Sequence, residues 1–191
     1  KTLDVSTCAS LRTVDCSSNM LTVLNLGEKS ALVSLQCSDN IIGAMDLSGC
    51  TALKSLSCSN NNKLTGVIIP EGMTRIGNAA FSGCTRLKSI TIPASVIRID
   101  ENAFNNCTSL SNIALPSGLS VIGNAAFAGC GKLTDVYYVG TQEQWNEISI
   151  LDANEPLLSA VLHCIAPDLT LPAALTAIES EAFAGGSFAT S

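Results

Sequence analysis

Apolar positions recur along the first third of the chain with a step of 21 residues. Leu11, Leu32 and Leu53 form one column, Val5, Leu26 and Leu47 a second, and Cys16, Cys37 and Cys58 a third. A polar column, Asn19, Asn40 and Asn61, keeps the same step. From about residue 64 the step becomes 23: Pro70, Pro93 and Pro116; Ile76, Ile99 and Ile122; Phe81, Phe104 and Phe127; Cys84, Cys107 and Cys130. Near the end, Pro172, Ile178, Ala182 and Phe183 repeat the internal spacing of that unit once more. Within a unit, Ile90-Thr91-Ile92 alternates as a short strand does, and Pro93 ends it because proline cannot donate to a ladder.

A unit this short cannot bury its apolar face alone, so like units must stack into one continuous core. Parallel strands in adjacent coils lie ~4.8 Å apart, and about eight coils give a rod on the order of 40 Å long, with the phenylalanines piled into an aromatic stack. Each column asparagine follows a strand, where an amide can satisfy backbone groups as the chain turns away. An amide ladder that binds sugar is the alternative reading of the same column.

Residues 139–165 interrupt the periodicity and read as a helical insert. Thr141-Gln142-Glu143-Gln144 fits a capping box opening a short helix, with Trp145 and Ile148 on one face. Asn154 before Glu155-Pro156 fits a second helix start, and Ala160 to Cys164 reads as a strand. Trp145 either packs on the adjacent coil or offers a sugar-stacking platform.

At this point the motifs resemble a known family. Residues 11–61 are similar to leucine-rich repeats with cysteine at the third apolar position. Residues 64–132 resemble the BspA-like subclass, whose Ile-Pro strand end is followed by Val-x-x-Ile-Gly-x-x-Ala-Phe-x-x-Cys. Ile122-Gly123-Asn124-Ala125-Ala126-Phe127-Ala128-Gly129-Cys130 carries the match, and Val136 to Trp145 resembles a non-repeat insert of that family. The resemblance implies an α/β repeat solenoid: a leucine-rich-repeat right-handed superhelix, mostly short parallel strands with few short helices. It divides one continuous domain into 21-residue repeats over 1–65, 23-residue BspA-like repeats of the Treponema pallidum type over 66–138, the insert over 139–165 and a last, truncated repeat over 166–191. It also implies a bacterial secreted or cell-surface setting, with any leader absent from this chain.

Two departures stand out. The Cys-Thr-x-Leu register runs 34 residues from Cys50 to Cys84, whereas the Leu-x-x-Val-x-Ile-Pro register runs 23 from Leu64 to Leu87, so an inserted half-coil or a kink is expected between residues 58 and 68. Gly186 replaces the column cysteine in the last unit, and an uncapped coil there could continue, fray or dimerise end to end.

Composition narrows the functions. The 191 residues are 47% hydrophobic and only 14% charged, which excludes a disordered tail, a coiled coil or a charge-rich nucleic-acid arm. No apolar run is long enough to insert into a membrane. All ten Lys and Arg lie at or before Lys132, leaving 133–191 at −8 and 1–132 at +2. An acidic end repels phosphate backbones and anionic lipid heads. It serves solubility or, on a sharper reading, attracts a basic partner or Ca²⁺.

Chemistry is sparse. Nine cysteines suggest disulfides first. Stacked columns argue instead for buried free thiols, because Cβ atoms ~4.8 Å apart exceed the ~3.5–4.5 Å a disulfide spans. The sole histidine, His163, has Cys164 beside it, and strand neighbours point to opposite faces, which disfavours a metal site or a nucleophilic pair. Asp100-Glu101 sits at a turn, where a solvated face is the ordinary meaning. No cofactor motif occurs.

The expected role is therefore non-enzymatic recognition of a protein or glycan, in adhesion or host interaction, across outward strand residues Lys88, Thr91, Asn112, Ala114, Asp135 and Tyr137, with Tyr137 or Trp145 as anchor. A structural spacer in a larger surface protein is the alternative, and a hydrolytic enzyme a distant one.

Overall fold

The computed structural model describes residues 1–165. One strand of each coil belongs to the series β1 (Thr2–Asp4), β3 (Val23–Asn25), β5 (Ala44–Asp46), β7 (Gly66–Ile68), β9 (Ser89–Thr91), β11 (Asn112–Leu115), β13 (Asp135–Val139) and β15 (Val161–Ile165). Between them run β2 (Thr13–Asp15), β4 (Ser34–Gln36), β6 (Ser55–Ser57), β8 (Arg75–Ile76), β10 (Arg98–Ile99), β12 (Val121–Ile122) and β14 (Ser149–Ile150). Pairing is parallel and in register: Leu35 stands opposite Val14 and Leu56, and Ile113 opposite Ile90 and Val136. The result is a parallel-strand β-solenoid of about seven turns with few short helices. The further unit read over 166–191, with Phe183, lies outside the described residues.

Strands of three residues form because each needs only one inward side chain. Val14, Leu35, Leu56 and Ile90 are buried between more exposed neighbours, and stacking joins them into one core that runs from Val14 to Leu157. In the longer repeats the amides of Met73, Val96 and Leu119 close the turn onto the carbonyls of Pro70, Pro93 and Pro116, which use the group proline still has.

At the junction, of the half-coil or kink expected, the half-coil is absent and both strand ladders are interrupted. No half-coil is inserted between residues 58 and 68: β5 pairs with β7 in register, and Thr65 bonds the Gly43 carbonyl 22 residues back. The conflicting 34-residue register arises because the same local turn occurs at two places in the coil. Leu53 N–H bonds Cys50 before β6, whereas Leu87 N–H bonds Cys84 before β9.

Backbone bonds show which columns continue across that junction. The amides of Cys16, Cys37 and Cys58 donate to Gln36, Ser57 and Ala80, and those of Phe81 and Phe104 to Ala103 and Ala126. Phenylalanine therefore takes over the cysteine column. The three rings stack with centroids 5.4 and 5.3 Å apart, tilted by 5° and 15°. Likewise the asparagine column passes to cysteine. Asn61 Nδ2 donates to the Cys37 carbonyl of the preceding coil, and the Cys84 thiol to that of Cys58.

A third column turns left-handed. Asn60 and Asn106 have φ of 58° and 59°, and the residues between and beyond them are Gly83 and Gly129 at 73° and 75°. A Cβ on either glycine would come within 2.4 Å of the neighbouring asparagine Oδ1, so amide and glycine alternate along the stack.

Residues 139–165, expected as an insert that interrupts the array, instead complete a longer coil. The helix α1 (Gln142–Asn146) carries the Thr141–Gln144 capping box, β14 then joins β12, and after α2 (Glu155–Ser159) β15 pairs with β13. Asn154 does not cap α2 with its side chain. It is buried, donating to Gly123, Leu151 and Asp152 while accepting from Phe127 N–H, which is the bonding of Asn40 and Asn61 over again.

Candidate functional site

The sheet β9–β11–β13–β15 aligns its side chains in rows. One row is Ser89, Asn112, Asp135 and Val161; the next is Thr91, Ala114, Tyr137 and His163. Alternation along a strand sends Val136 and Tyr138 into the core, so Asp135 and Tyr137 face outward, half-buried. Register then brings the Tyr137 ring onto that of His163, stacked with centroids 4.7 Å apart and 16° between planes. His163 Nε2 reaches Asp135 Oδ1 at 2.7 Å. This contact and a hydrogen bond from Thr134 hold the Asp135 carboxyl below its ordinary value.

Of the residues singled out in sequence, Thr91, Asn112, Ala114, Asp135 and Tyr137 share this face, and Lys88 lies exposed just before β9. Ala114 is buried, with Tyr137 packed against it, and offers no surface of its own. Asn112 Oδ1 is enclosed without a partner. Trp145 is not gathered in: it lies half-buried on α1, edge-on to the inward Tyr138 ring at 5.4 Å. His163 is the member that sequence reading missed. Its partners lie a whole coil back, and the irregular length of that coil hid the register.

Asp100 also departs from the expected solvated turn. It occupies the column of Gly77 and Gly123, it is 5% exposed, and its two oxygens accept from Arg75 and Arg98 on adjacent rungs. An acid in a glycine column was the available signal. Lys29 is fully enclosed, in line with Cys8 and Cys50, and donates from Nζ to the Ser6 carbonyl at 2.9 Å.

The cysteines are free thiols, seven buried and two, Cys8 and Cys164, exposed. Burial pushes the thiols of Cys16 and Cys130 up to about 11 and that of Cys84 to about 12. Burial raises Cys58 and Cys107 as well. At neutral pH such groups are protonated and poor nucleophiles. Among the described residues no group of three or more His, Cys, Asp or Glu could hold a metal ion, and no helix is long and apolar enough to cross a membrane.

What the arrangement offers is an outer strand face that carries a half-buried ring pair held by a carboxylate. Such a feature suits stacking and hydrogen bonding to a bound surface.

Solved structures share this architecture. A leucine-rich cell surface protein from Faecalibacterium prausnitzii A2-165 is 26% identical with a TM-score of 0.51, over 73% of this chain and 35% of that one. A leucine-rich repeat protein from Bacteroides ovatus ATCC 8483 is 16% identical with a TM-score of 0.57, over 86% of this chain and 55% of that one. The chain thus spans about a third and about half of these two proteins. No curated protein matches the sequence. The family model for the BspA type leucine-rich repeat region matches six copies over residues 51–151, from the coil before the junction through α1 and β14. By that match, and by the columns that carry it, the chain belongs to the BspA type leucine-rich repeat family.

Proposed function

We propose that this chain is a non-enzymatic recognition module of a secreted or cell-surface protein, binding a protein or a glycan through the outward face of β9, β11, β13 and β15. The observation that carries the reading is the Tyr137–His163 stack fixed by Asp135, an aromatic pair held in place on the outward face. A preorganised ring loses little freedom on binding, which is why such residues anchor interfaces. The likeness to a leucine-rich cell surface protein supports the setting. Adhesion or host interaction is the role that fits it.

The spacer reading draws on a different observation. The rungs of β9 and β11 present short outward side chains, Ser89, Thr91 and Asn112. The two are separated by screening the chain on glycan and host-protein arrays. Recognition predicts a saturable hit that Tyr137→Ala and His163→Ala each weaken about tenfold or more, in keeping with the loss of an interface anchor. Absence of any hit leaves the chain a spacer, and a hit indifferent to both changes overturns this face as the binding surface.

A further inference from the structure

We propose that Cys37 and Cys58 are a modification site, a thiol pair that closes into a disulfide joining adjacent coils, with a glutathione-type disulfide as the oxidant.

The two residues directly follow β4 and β6, whose in-register pairing sets them on neighbouring rungs of one column. Their Sγ atoms are 3.1 Å apart, about 1 Å beyond an S–S bond of roughly 2.05 Å. Cβ atoms stacked ~4.8 Å apart are too far for a disulfide without adjustment. Rungs ~4.8 Å apart nonetheless lie within the Cα separations of about 4.4–6.8 Å that disulfides bridge, and the side chains need only turn toward each other. Here they have turned.

The other thiols of the core are directed elsewhere. Cys16, one rung to the far side of Cys37, aims at the Gln36 carbonyl, while Cys84, Cys107 and Cys130 donate to the carbonyls of Cys58, Phe81 and Phe104. Past Cys58 the column is phenylalanine, so it offers no further pair. Cys37 also approaches the Ser57 carbonyl and Met45 Sδ, weak contacts that a disulfide would give up at little cost.

Both side chains are wholly buried, so exchange takes place while these coils are open, during folding or a local opening. One cysteine thiolate attacks the small disulfide and expels one glutathione thiolate. The second cysteine thiolate then attacks the protein sulfur of that mixed disulfide and expels the other. One disulfide is reduced to two glutathione thiols, which take up the two protons, and the protein loses two hydrogens. The folded array keeps the product because it already holds the sulfurs together.

The test refolds the reduced chain in a buffer of oxidised and reduced glutathione, blocks remaining thiols, and maps links by tandem mass spectrometry after trypsin. The expected product joins the peptide of residues 30–54, through Cys37, to that of residues 55–63, through Cys58. The oxidised chain should melt roughly 5–10 °C higher than the reduced one, since the cross-link removes loop freedom from the unfolded chain. Cys58→Ala should abolish both the link and the gain. Full alkylation of Cys37 and Cys58 after refolding, or a link from Cys37 chiefly to Cys16 or Cys50, would overturn the proposal. Because the wild-type map decides the matter, an ill-folded variant leaves the test intact.

Discussion

The two halves of the array use the same backbone scheme with different side-chain chemistry at equivalent positions. In the 21-residue coils a column of thiols stands beside a column of amides; in the 23-residue coils the same positions hold phenyl rings and thiols. Asn40 and Asn61 each join coils by accepting from a backbone amide, Leu21 or Ile42, and donating to carbonyls of two coils. Cys84, Cys107 and Cys130 keep only one of those bonds, and the stacked rings beside them add dispersion and apolar burial instead. A coil can therefore be secured either by directed polar bonds or by packing, provided both columns change together. Exchanging one alone would leave an amide without bonds or a ring without room.

The largest expected effect contrasts the shared column. Phe104→Ala should cost about 3–5 kcal/mol in denaturant unfolding of the full chain, because it leaves a gap between two rings. Cys37→Ala, at the matching place in the first half and compared with the reduced chain, should cost only about 1 kcal/mol. Equal losses would mean that the rings contribute no more than the thiols, and the contrast would fail.

Next comes the neighbouring column. Asn61→Ala strips the Ile42 amide of its partner inside the core and leaves the Cys37 and Cys58 carbonyls only Asn40 and the Cys84 thiol, and should cost about 2–3 kcal/mol. Cys107→Ala removes a single weak donor and should cost about 1 kcal/mol. Hydrogen exchange sharpens the point, since Ile42 N–H should lose protection selectively in the first variant. Retained protection would show that the amide is not what holds that group.

The smallest effect lies within the second half. Asp100→Gly restores the residue found at the Gly77 and Gly123 positions but leaves Arg75 and Arg98 side by side without their common carboxylate. The arginines are about half exposed, which screens the loss to about 1 kcal/mol. A destabilisation that vanishes in high salt would confirm its electrostatic origin, while a stabilised variant would assign Asp100 no structural role.

How far the sequence reveals these features depends on spacing. Columns with a constant step can be read directly, because equal spacing in a stack means vertical contact, as with Phe81, Phe104 and Phe127. Contacts made across unequal steps cannot. Asn154 stands at the N-cap position of α2, as its place before Glu155-Pro156 implies, but its side chain repeats the amide bonding of Asn61 from within a coil of another length, which the spacing hides. His163 meets Tyr137 only because the capped helix, β14 and a second helix between them take up the extra residues before β15 falls into register. The junction failed for the opposite reason. Cys50 and Cys84 share a local motif but occupy different corners of the coil, so similarity of sequence was not equivalence of place.

The joint at Cys58 has a consequence for how such a molecule can vary. Its backbone link to Ala80 repeats the link from Cys37 to Ser57, although both strand ladders are interrupted there, β6 not pairing with β8 nor β7 with β9. A joint that carries a column through while the ladders stop beside it lets units of either kind be grafted, copied or dropped while the neighbours keep their own bonds. Length then becomes a property that can drift freely, and the outer surface can diversify one floor at a time.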